Sequence, residues 1–448
     1  MTVGLGGLLE EIRTIQVTHK VGNVAFVGAG LLHVEGMGKS VQLGDQVTIR
    51  TSSGRKIFGE VLRLDRNETV ILPGGNMDGL GIGDEVQLDG PLKIAPSDNW
   101  IGRIVDPSGS PMDGELLRRG EDARSVFAAP PNPASRGTLG NRLETGMTIF
   151  NTLLPVVRGQ RIGLFAGSGV GKSTLLAHFA SNMEADVVVI ALVGERGREL
   201  REFVEKTLGP EGMARSVIVA ATSDQSPLMR RRCILTAMSV AEHFRDQGLH
   251  VLFLADSVTR FAEAHREIAV ASGEAAALRG FPASTAHMIM SLCERAGPGE
   301  GDTGGDITAV FSVLVAGSDM DEPVADLMRG VLDGHVILDR AIAERGRYPA
   351  IDAVKSVSRS LPDAANDKEN VLIGKARRLL GAYDEAALMI RAGLYSEGSD
   401  PVLDVAIKAH SDLDKFCAMT EGVDSANSFK RLELILRRSG ALDPNFPG

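Results

Sequence analysis

Three kinds of hydrophobic patterning follow one another along the chain. Up to about Ala95, short apolar stretches alternate with polar positions, as in "NVAFVGAGLLHVEG", "VQLGDQVTIRT", "IFGEVLRLDRNETVILPG" and "DEVQL", with Gly, Asn and Asp between them. Closely spaced short strands of this type predict a small β-barrel. "FAAPPNPASRG" (Phe127–Gly137) is a proline-rich connection expected to be extended. From about Gly159 the pattern changes to unbroken apolar runs, "RIGLFAG", "ADVVVIALVG", "SVIVAAT", "HVLFLAD" and "ITAVFSVLVAG", separated by amphipathic stretches. One such stretch, "SPLMRRRCILTAMSVAEHFRDQG", has Ser226 as N-cap, Pro227 at the first helical position and Gly248 as terminator. Strand–helix alternation predicts an α/β fold, a parallel sheet covered on both faces. After about Lys375 the strands stop and three helices are expected, the second capped by Asp400 with Pro401 behind it. The expected division is 1–95 for a barrel with a short N-terminal lead, 96–375 for the α/β core and 376–448 for a C-terminal helical domain. Neither an internal repeat nor a low-complexity tract is evident.

Composition narrows the function classes. The 448 residues are 43% hydrophobic and 24% charged, with a net charge of −10. An acidic chain is not drawn to nucleic acid or anionic lipid by its overall field. Cys233, Cys293 and Cys417 lie far apart, without metal spacing, and suit a reducing cytoplasm. "MTVGLGGLLEEIRT" lacks the pattern of a signal peptide, and "VVVIALVG" is too short to span a bilayer. Any membrane role is therefore expected to run through a partner.

The candidate chemistry begins at "AGSGVGKS" (Ala166–Ser173), which follows one predicted strand and opens a predicted helix. Glycines let the backbone wrap phosphate oxygens with inward N–H groups, and the helix that follows adds its positive end. Lys172 is placed to reach the β- and γ-phosphates and Ser173 to ligate Mg²⁺. Ala166 stands where the strict pattern has its first glycine. A second strand, "VLFLAD", ends in Asp256, a position from which a carboxylate holds a metal's water shell. The strand of "VGERGREL" places Glu195 just past its C-terminal end, where parallel sheets put chemistry and where a carboxylate can orient or deprotonate water.

"AGSGVGKST", "GERGRE", "LFLADSVTRFAEAHREIA" and "DGHVILDRAIAERGRYPAIDAVKSVSR" together resemble the rotary ATP synthase catalytic headpiece. They are most similar to its homohexameric relatives, the ATPases of type III protein export, and within these to the flagellum-specific branch. The resemblance implies a P-loop NTPase core of the RecA-like type with an N-terminal β-barrel and a C-terminal helical domain. It implies that Ala166, Gly167, Ser168, Gly169, Val170, Gly171, Lys172, Ser173 and Thr174 cradle the phosphates of ATP. It further implies that Glu195 activates water, that Arg196 steadies the phosphate site, and that Ser173 and Asp256 hold Mg²⁺. Arg260 becomes a phosphate-side contact, Tyr348 the ring that stacks on adenine, and Arg359 the arginine that reaches a neighbour's γ-phosphate. Glu195 and Arg359 lie on one chain, so a homo-oligomer, a hexamer in the family, can build a complete site at every junction. The implied partners are a stator-like regulatory subunit, a central stalk protein, and export substrates with their chaperones. No nucleic acid is implied, and the location is the cytoplasm, with contact to the inner membrane only through the export gate.

Several readings remain side by side. Leu5, Leu8, Leu9 and Ile12 have helical spacing suited to the regulatory partner, but Gly4, Gly6 and Gly7 weaken that helix. Arg230, Arg231 and Arg232 read as solvated charge, Met288 and Met290 as core, and "GEAAALRGFPAST" (Gly273–Thr285) as a pore-facing loop or an ordinary connection. An injectisome ATPase shares every motif above. An RNA translocase of the transcription-terminator type needs a basic, aromatic-lined N-terminal groove, yet the first 95 residues are slightly acidic and hold only Phe26 and Phe58. A non-catalytic nucleotide-binding subunit has no use for Glu195. ATP synthesis by a proton-driven ring uses the same reversible steps.

Overall fold

The computed structural model describes Ile12 and residues 18–28, 30–66, 68–301, 304–315, 319–444 and 446. The N-terminal stretch expected to meet a regulatory partner lies outside the described residues, Ile12 apart.

Six short antiparallel strands, β1 (Val21–Gly28), β2 (Leu31–Glu35), β3 (Gln46–Arg50), β4 (Lys56–Leu64), β5 (Thr69–Pro73) and β6 (Glu85–Gly90), close into a barrel in the order β1-β2-β5-β4-β3-β6. Period-two alternation sends Val24, Leu32, Val34, Val47, Ile49, Ile71 and Val86 inward, and closure leaves no strand edge unpaired. A two-stranded ribbon of β7 (Lys93–Ile94) and β9 (Arg124–Ser125) follows, flanking the short strand β8 (Ile104–Val105).

The core sheet contains β8, β10 (Arg161–Ala166), β11 (Val187–Glu195), β12 (Ser216–Thr222), β13 (His250–Asp256), β14 (Gly297–Pro298), β15 (Asp306–Leu314), β16 (Gly334–Leu338) and β17 (Ile351–Ser358). Its order is β17-β16-β10-β15-β13-β11-β12-β8, with β14 paired to β15. The strands from β16 to β8 run parallel, whereas β14 and the edge strand β17 run antiparallel to their neighbours, so the expected wholly parallel sheet acquires two exceptions. Along β11, Val188, Ile190 and Leu192 join one apolar core with Leu175, Leu176 and Phe179 of the helix Lys172–Asn182. Val187, Val189, Ala191 and Val193 join a second core with Cys233, Ile234, Ala237 and Phe244 of the helix Pro227–Arg245. A strand buried on both faces has no polar side to show, and its sequence is accordingly an apolar run.

Ser226 caps the helix Pro227–Arg245 and Asp400 caps Pro401–Cys417, as their sequences predict. With Asp367–Arg391 and Ser425–Ser439, that last helix forms the C-terminal layer, whose Leu379, Leu403, Phe416, Leu432 and Leu436 merge into the first core. The helix Asp367–Arg391 opens ahead of the 375/376 division, fixed by a reciprocal capping box between Asn366 and Glu369. Among the described residues no helix is long and apolar enough to cross a membrane.

Two expectations about side chains are corrected. Arg230, Arg231 and Arg232 are not solvated charge. Arg232 is fully buried and donates to Glu60 Oε2 of β4 at 2.7 and 3.1 Å, Arg231 pairs with the other oxygen, and Arg230 forms a two-pronged pair with Glu267 at 3.0 Å. A barrel carboxylate lands on the helix and supplies the counter-charge that burial demands. Met290 is exposed because the helix Ala283–Arg295 turns it outward, while Met288 is partly buried against the core.

Candidate active site

β10 ends at Ala166, and the chain reverses through Gly167–Gly171 before the helix Lys172–Asn182 begins. Gly169 and Gly171 have φ of 77° and 89°, a region that side chains with a Cβ rarely occupy. Val170 is buried and anchors the loop from below. Ser168, Gly169, Ser173 and Thr174 are exposed, so the cradle and the unpaired N–H groups of the first helical turn face solvent. An open glycine loop at a helix N-terminus is an anion site by construction.

Lys172 leans across the sheet to the carboxylate of Asp256, the last residue of β13. Asp256 is 3% exposed, and its Oδ1 also accepts from the hydroxyl of Ser312 on β15 at 2.9 Å. Glu195 closes β11, the strand next to β13. Burial first, then the nearby Asp256 carboxylate, pushes its carboxyl up to about 7, against the pull of Lys172 and with help from a hydrogen bond to Glu199. The ends of β10, β11 and β13 thus bring Lys172, Glu195 and Asp256 to one edge of the sheet.

The donors present suit a hard divalent cation. Mg²⁺ keeps several waters and needs only one or two protein oxygens beside phosphate oxygens, and the Ser173 hydroxyl and Asp256 carboxylate are such oxygens. No group of three or more His, Cys, Asp or Glu side chains placed to hold a metal occurs among the described residues.

The remaining residues divide into near and far. The ring of Tyr348, about half exposed, lies over the cradle, where a Cβ on Gly171 would sit 3.2 Å from Tyr348 Cδ1. Arg260 lies one turn into the helix Val258–Ala271, its Cδ 3.6 Å from where Gly194 would carry a Cβ, and pairs with Glu263 at 3.7 Å. Arg196 points outward, 79% exposed, and pairs with Glu199 at 3.2 Å. Arg359 is elsewhere. Strand β17 starts opposite the end of β16, where Ile351 faces Leu338 and Leu338 faces Ala166, and finishes with Ser358 opposite Gly334. The Arg359 amide bonds to the Asp333 carbonyl, and the Asp333 amide to that of Arg161, which begins β10. The length of β10, roughly 16 Å of strand, therefore separates Arg359 from the glycine cradle of its own chain. Its guanidinium donates to the Arg329 carbonyl at 3.0 Å, near the end of the helix Pro323–Val331. Sequence reasoning passed over Ser312, one of two hydroxyls, with Thr308, in a mostly apolar strand.

Residues 146–358 match the family described as "ATP synthase alpha/beta family, nucleotide-binding domain", and residues 365–433 the "T3SS EscN ATPase C-terminal domain". The chain is 40% identical over 439 residues to the flagellum-specific ATP synthase of Caulobacter vibrioides, covering 96% of this chain and 99% of that one. It is 39% identical over 419 residues to the flagellum-specific ATP synthase of Salmonella typhimurium, covering 90% and 91%. The assembled ATPase EscN of the enteropathogenic E. coli type III secretion system superposes with a TM-score of 0.85 at 34% identity, over 93% of this chain and 100% of that one. EscN in complex with its central stalk EscO gives 0.84 at the same 34% identity, over 93% of this chain and 100% of that one. A family match over residues 146–358, 40% identity across nearly the whole length of a curated relative and the same barrel–sheet–helix layout leave one placement: the chain belongs to the flagellum-specific ATP synthases, type III export ATPases of the ATP synthase α/β family.

Proposed function

We propose that this ATPase hydrolyses ATP with Mg²⁺ to energise export of flagellar proteins, and works as a homohexameric ring with one site at each junction. The observation that carries this reading is the split of the site across the sheet. Lys172, Asp256 and Glu195 converge at one edge, whereas Arg359 emerges at the other. A neighbour presenting its Arg359 edge to this chain's cradle completes the site. The backbone N–H groups of Gly167–Gly171 and the Lys172 ammonium bind the phosphates, and Tyr348 offers a flat face for the adenine. Arg260 borders the phosphate side from the helix after Asp256, and Arg196 acts through Glu199 on the loop that carries Glu195. Glu195, as the carboxylate, takes a proton from the attacking water, and the Arg359 of the next subunit neutralises charge gathering on the γ-phosphate. Mg²⁺, held by the Ser173 hydroxyl and the Asp256 side, supplies charge neutralisation along the phosphates when bound.

EscN is assembled, and in one structure is bound to its central stalk EscO. By that likeness, a stalk protein fills the ring here; a regulatory subunit and an export gate at the inner membrane are partners that the sequence resemblance alone suggests.

The test has two arms. Purified chain should hydrolyse ATP with Mg²⁺ and stop when EDTA is added, and Lys172→Ala should be inactive. In a flagellated strain lacking its own export ATPase, the wild-type chain should restore secretion of flagellar subunits and Glu195→Gln should not. Hydrolysis indifferent to EDTA, or equal secretion with Glu195→Gln, overturns the reading.

A further inference from the structure

We infer that Ser312 is a positioning residue for the nucleotide site: its hydroxyl holds the Asp256 carboxylate in the orientation that serves the metal while Lys172 is engaged with phosphate. The inference rests on the ATPase reading above.

Ser312 lies on β15, between β10 and β13, directly across from Leu164. Its neighbours along the strand are Val310, Phe311, Val313 and Leu314, and it is fully buried. Any small apolar residue would suit that environment, and a buried hydroxyl costs stability unless it finds a partner. The partner is Asp256 Oδ1 at 2.9 Å. Lys172 takes that same oxygen, so two donors converge on Oδ1, and among the described residues Oδ2 accepts no hydrogen bond.

The two donors differ in their attachment. Lys172 sits at the end of the glycine loop on a long side chain, and its ammonium must also serve phosphate oxygens. Ser312 is locked in the middle of the sheet. When the ammonium turns to phosphate, Ser312 is the donor that stays, and the carboxylate is neither stranded nor free to rotate. A buried carboxylate without a donor turns toward whatever cation is nearest, and here that is Lys172. Loss of Ser312 should therefore favour the Lys172–Asp256 pair and weaken nucleotide binding specifically where Asp256 is needed for the metal.

The experiment is a fluorescence titration of the full chain with mant-ATP, once in excess Mg²⁺ and once in EDTA, using Ser312→Ala, Ser312→Cys, Ser312→Thr and Asp256→Asn. A hydrogen bond to a charged group is typically worth a factor of about ten or more. Ser312→Ala and Ser312→Cys should bind about tenfold more weakly in Mg²⁺ and like wild type in EDTA. Ser312→Thr, which keeps the hydroxyl, should bind like wild type in both. The cysteine keeps the volume with a weak donor, so it answers the question even if the alanine variant does not fold. An equal loss in both buffers, no loss in either, or a threonine variant as weak as the cysteine one overturns the inference. Asp256→Asn separates the two readings. If wild type itself binds no more tightly in Mg²⁺ than in EDTA, the metal site that the proposed function places at Asp256 fails. If Asp256→Asn removes the Mg²⁺ effect and Ser312→Cys leaves it intact, only the role of Ser312 fails.

Discussion

Glu195 is a carboxyl held at the wrong pH for a surface group and the right one for a base. Burial and the Asp256 carboxylate raise it to about 7, so the ionised form, which the proposed mechanism needs to take a proton from water, dominates only above that pH. The rate of ATP hydrolysis should fall as pH drops through about 7, and Glu195→Gln should lose about 10²–10⁴ in kcat while still binding mant-ATP. Stability moves the other way. The folded chain binds this proton more tightly than the unfolded chain, whose carboxyl titrates near 4.5, so protonated Glu195 stabilises the fold below 4.5 and that contribution is lost as pH rises to about 7. Glu195→Gln, which is always neutral, should therefore raise Tm over wild type at pH 8 and lose that advantage near pH 4.5, as differential scanning calorimetry would show. A Tm difference that does not change with pH contradicts the raised titration. The places of Glu195 and Asp256 were legible in the sequence because each ends an apolar run, and that of Lys172 because a glycine-rich loop leads from such a run into a helix that Lys172 opens. Ser312 was not, since Thr308 carries a hydroxyl in the same strand and only the neighbouring strand, by supplying Asp256, tells the two apart.

The barrel meets the core at the helix Pro227–Arg245. Glu60 of β4 sits between Arg231 and Arg232 of Pro227–Arg245; burial alone would raise its carboxyl, but the two guanidiniums overcome that and hold it below the usual range. The same helix is tied to Val258–Ala271 by Arg230 and Glu267, and Val258–Ala271 starts two residues after Asp256. A continuous series of ion pairs and helix backbone therefore runs from the barrel wall to the helix that follows Asp256. Glu60→Ala leaves two guanidiniums buried without their counter-ion and should cost about 3–5 kcal/mol, read as a lower midpoint in urea unfolding followed by circular dichroism. An unchanged midpoint would mean that the arginines find water instead. This junction was invisible in the sequence, because three arginines on a helix look the same whether solvent or a distant strand faces them. The strands themselves were legible as apolar runs, and the C-terminal helices as capped amphipathic segments. The antiparallel β17 was not, since "IDAVKSVS" is neither an unbroken apolar run nor a clean alternation and says nothing about its direction. The early start at Asp367 was carried by Asn366 and Glu369, a capping box that Gly374 follows too soon for the apolar pattern to reveal it.

At the scale of the whole molecule, the sheet is a wall with unlike edges. One edge carries the cradle, Asp256, Glu195 and Tyr348; the other carries Arg359, kept apart from them by the length of β10. No movement of a side chain brings Arg359 to its own cradle, so its use in catalysis requires a second copy, and in the proposed assembly identical copies join edge to unlike edge with a rotation that closes the ring. An arginine supplied across a junction is worth about 10³–10⁵ in rate. Activity per chain should thus collapse on dilution below assembly, and Arg359→Ala should be nearly idle although its cradle is intact. The decisive measurement mixes Arg359→Ala with Glu195→Gln. Each variant alone lacks one half of every junction. In random equal mixtures about a quarter of junctions join an Arg359→Ala cradle, with its glutamate, to a Glu195→Gln edge, with its arginine, and about a quarter of wild-type activity should return. If Arg359→Ala hydrolyses ATP at the wild-type rate, or the mixture stays as idle as its parents, each chain completes its site alone and the two edges of the sheet are unlike for some other reason.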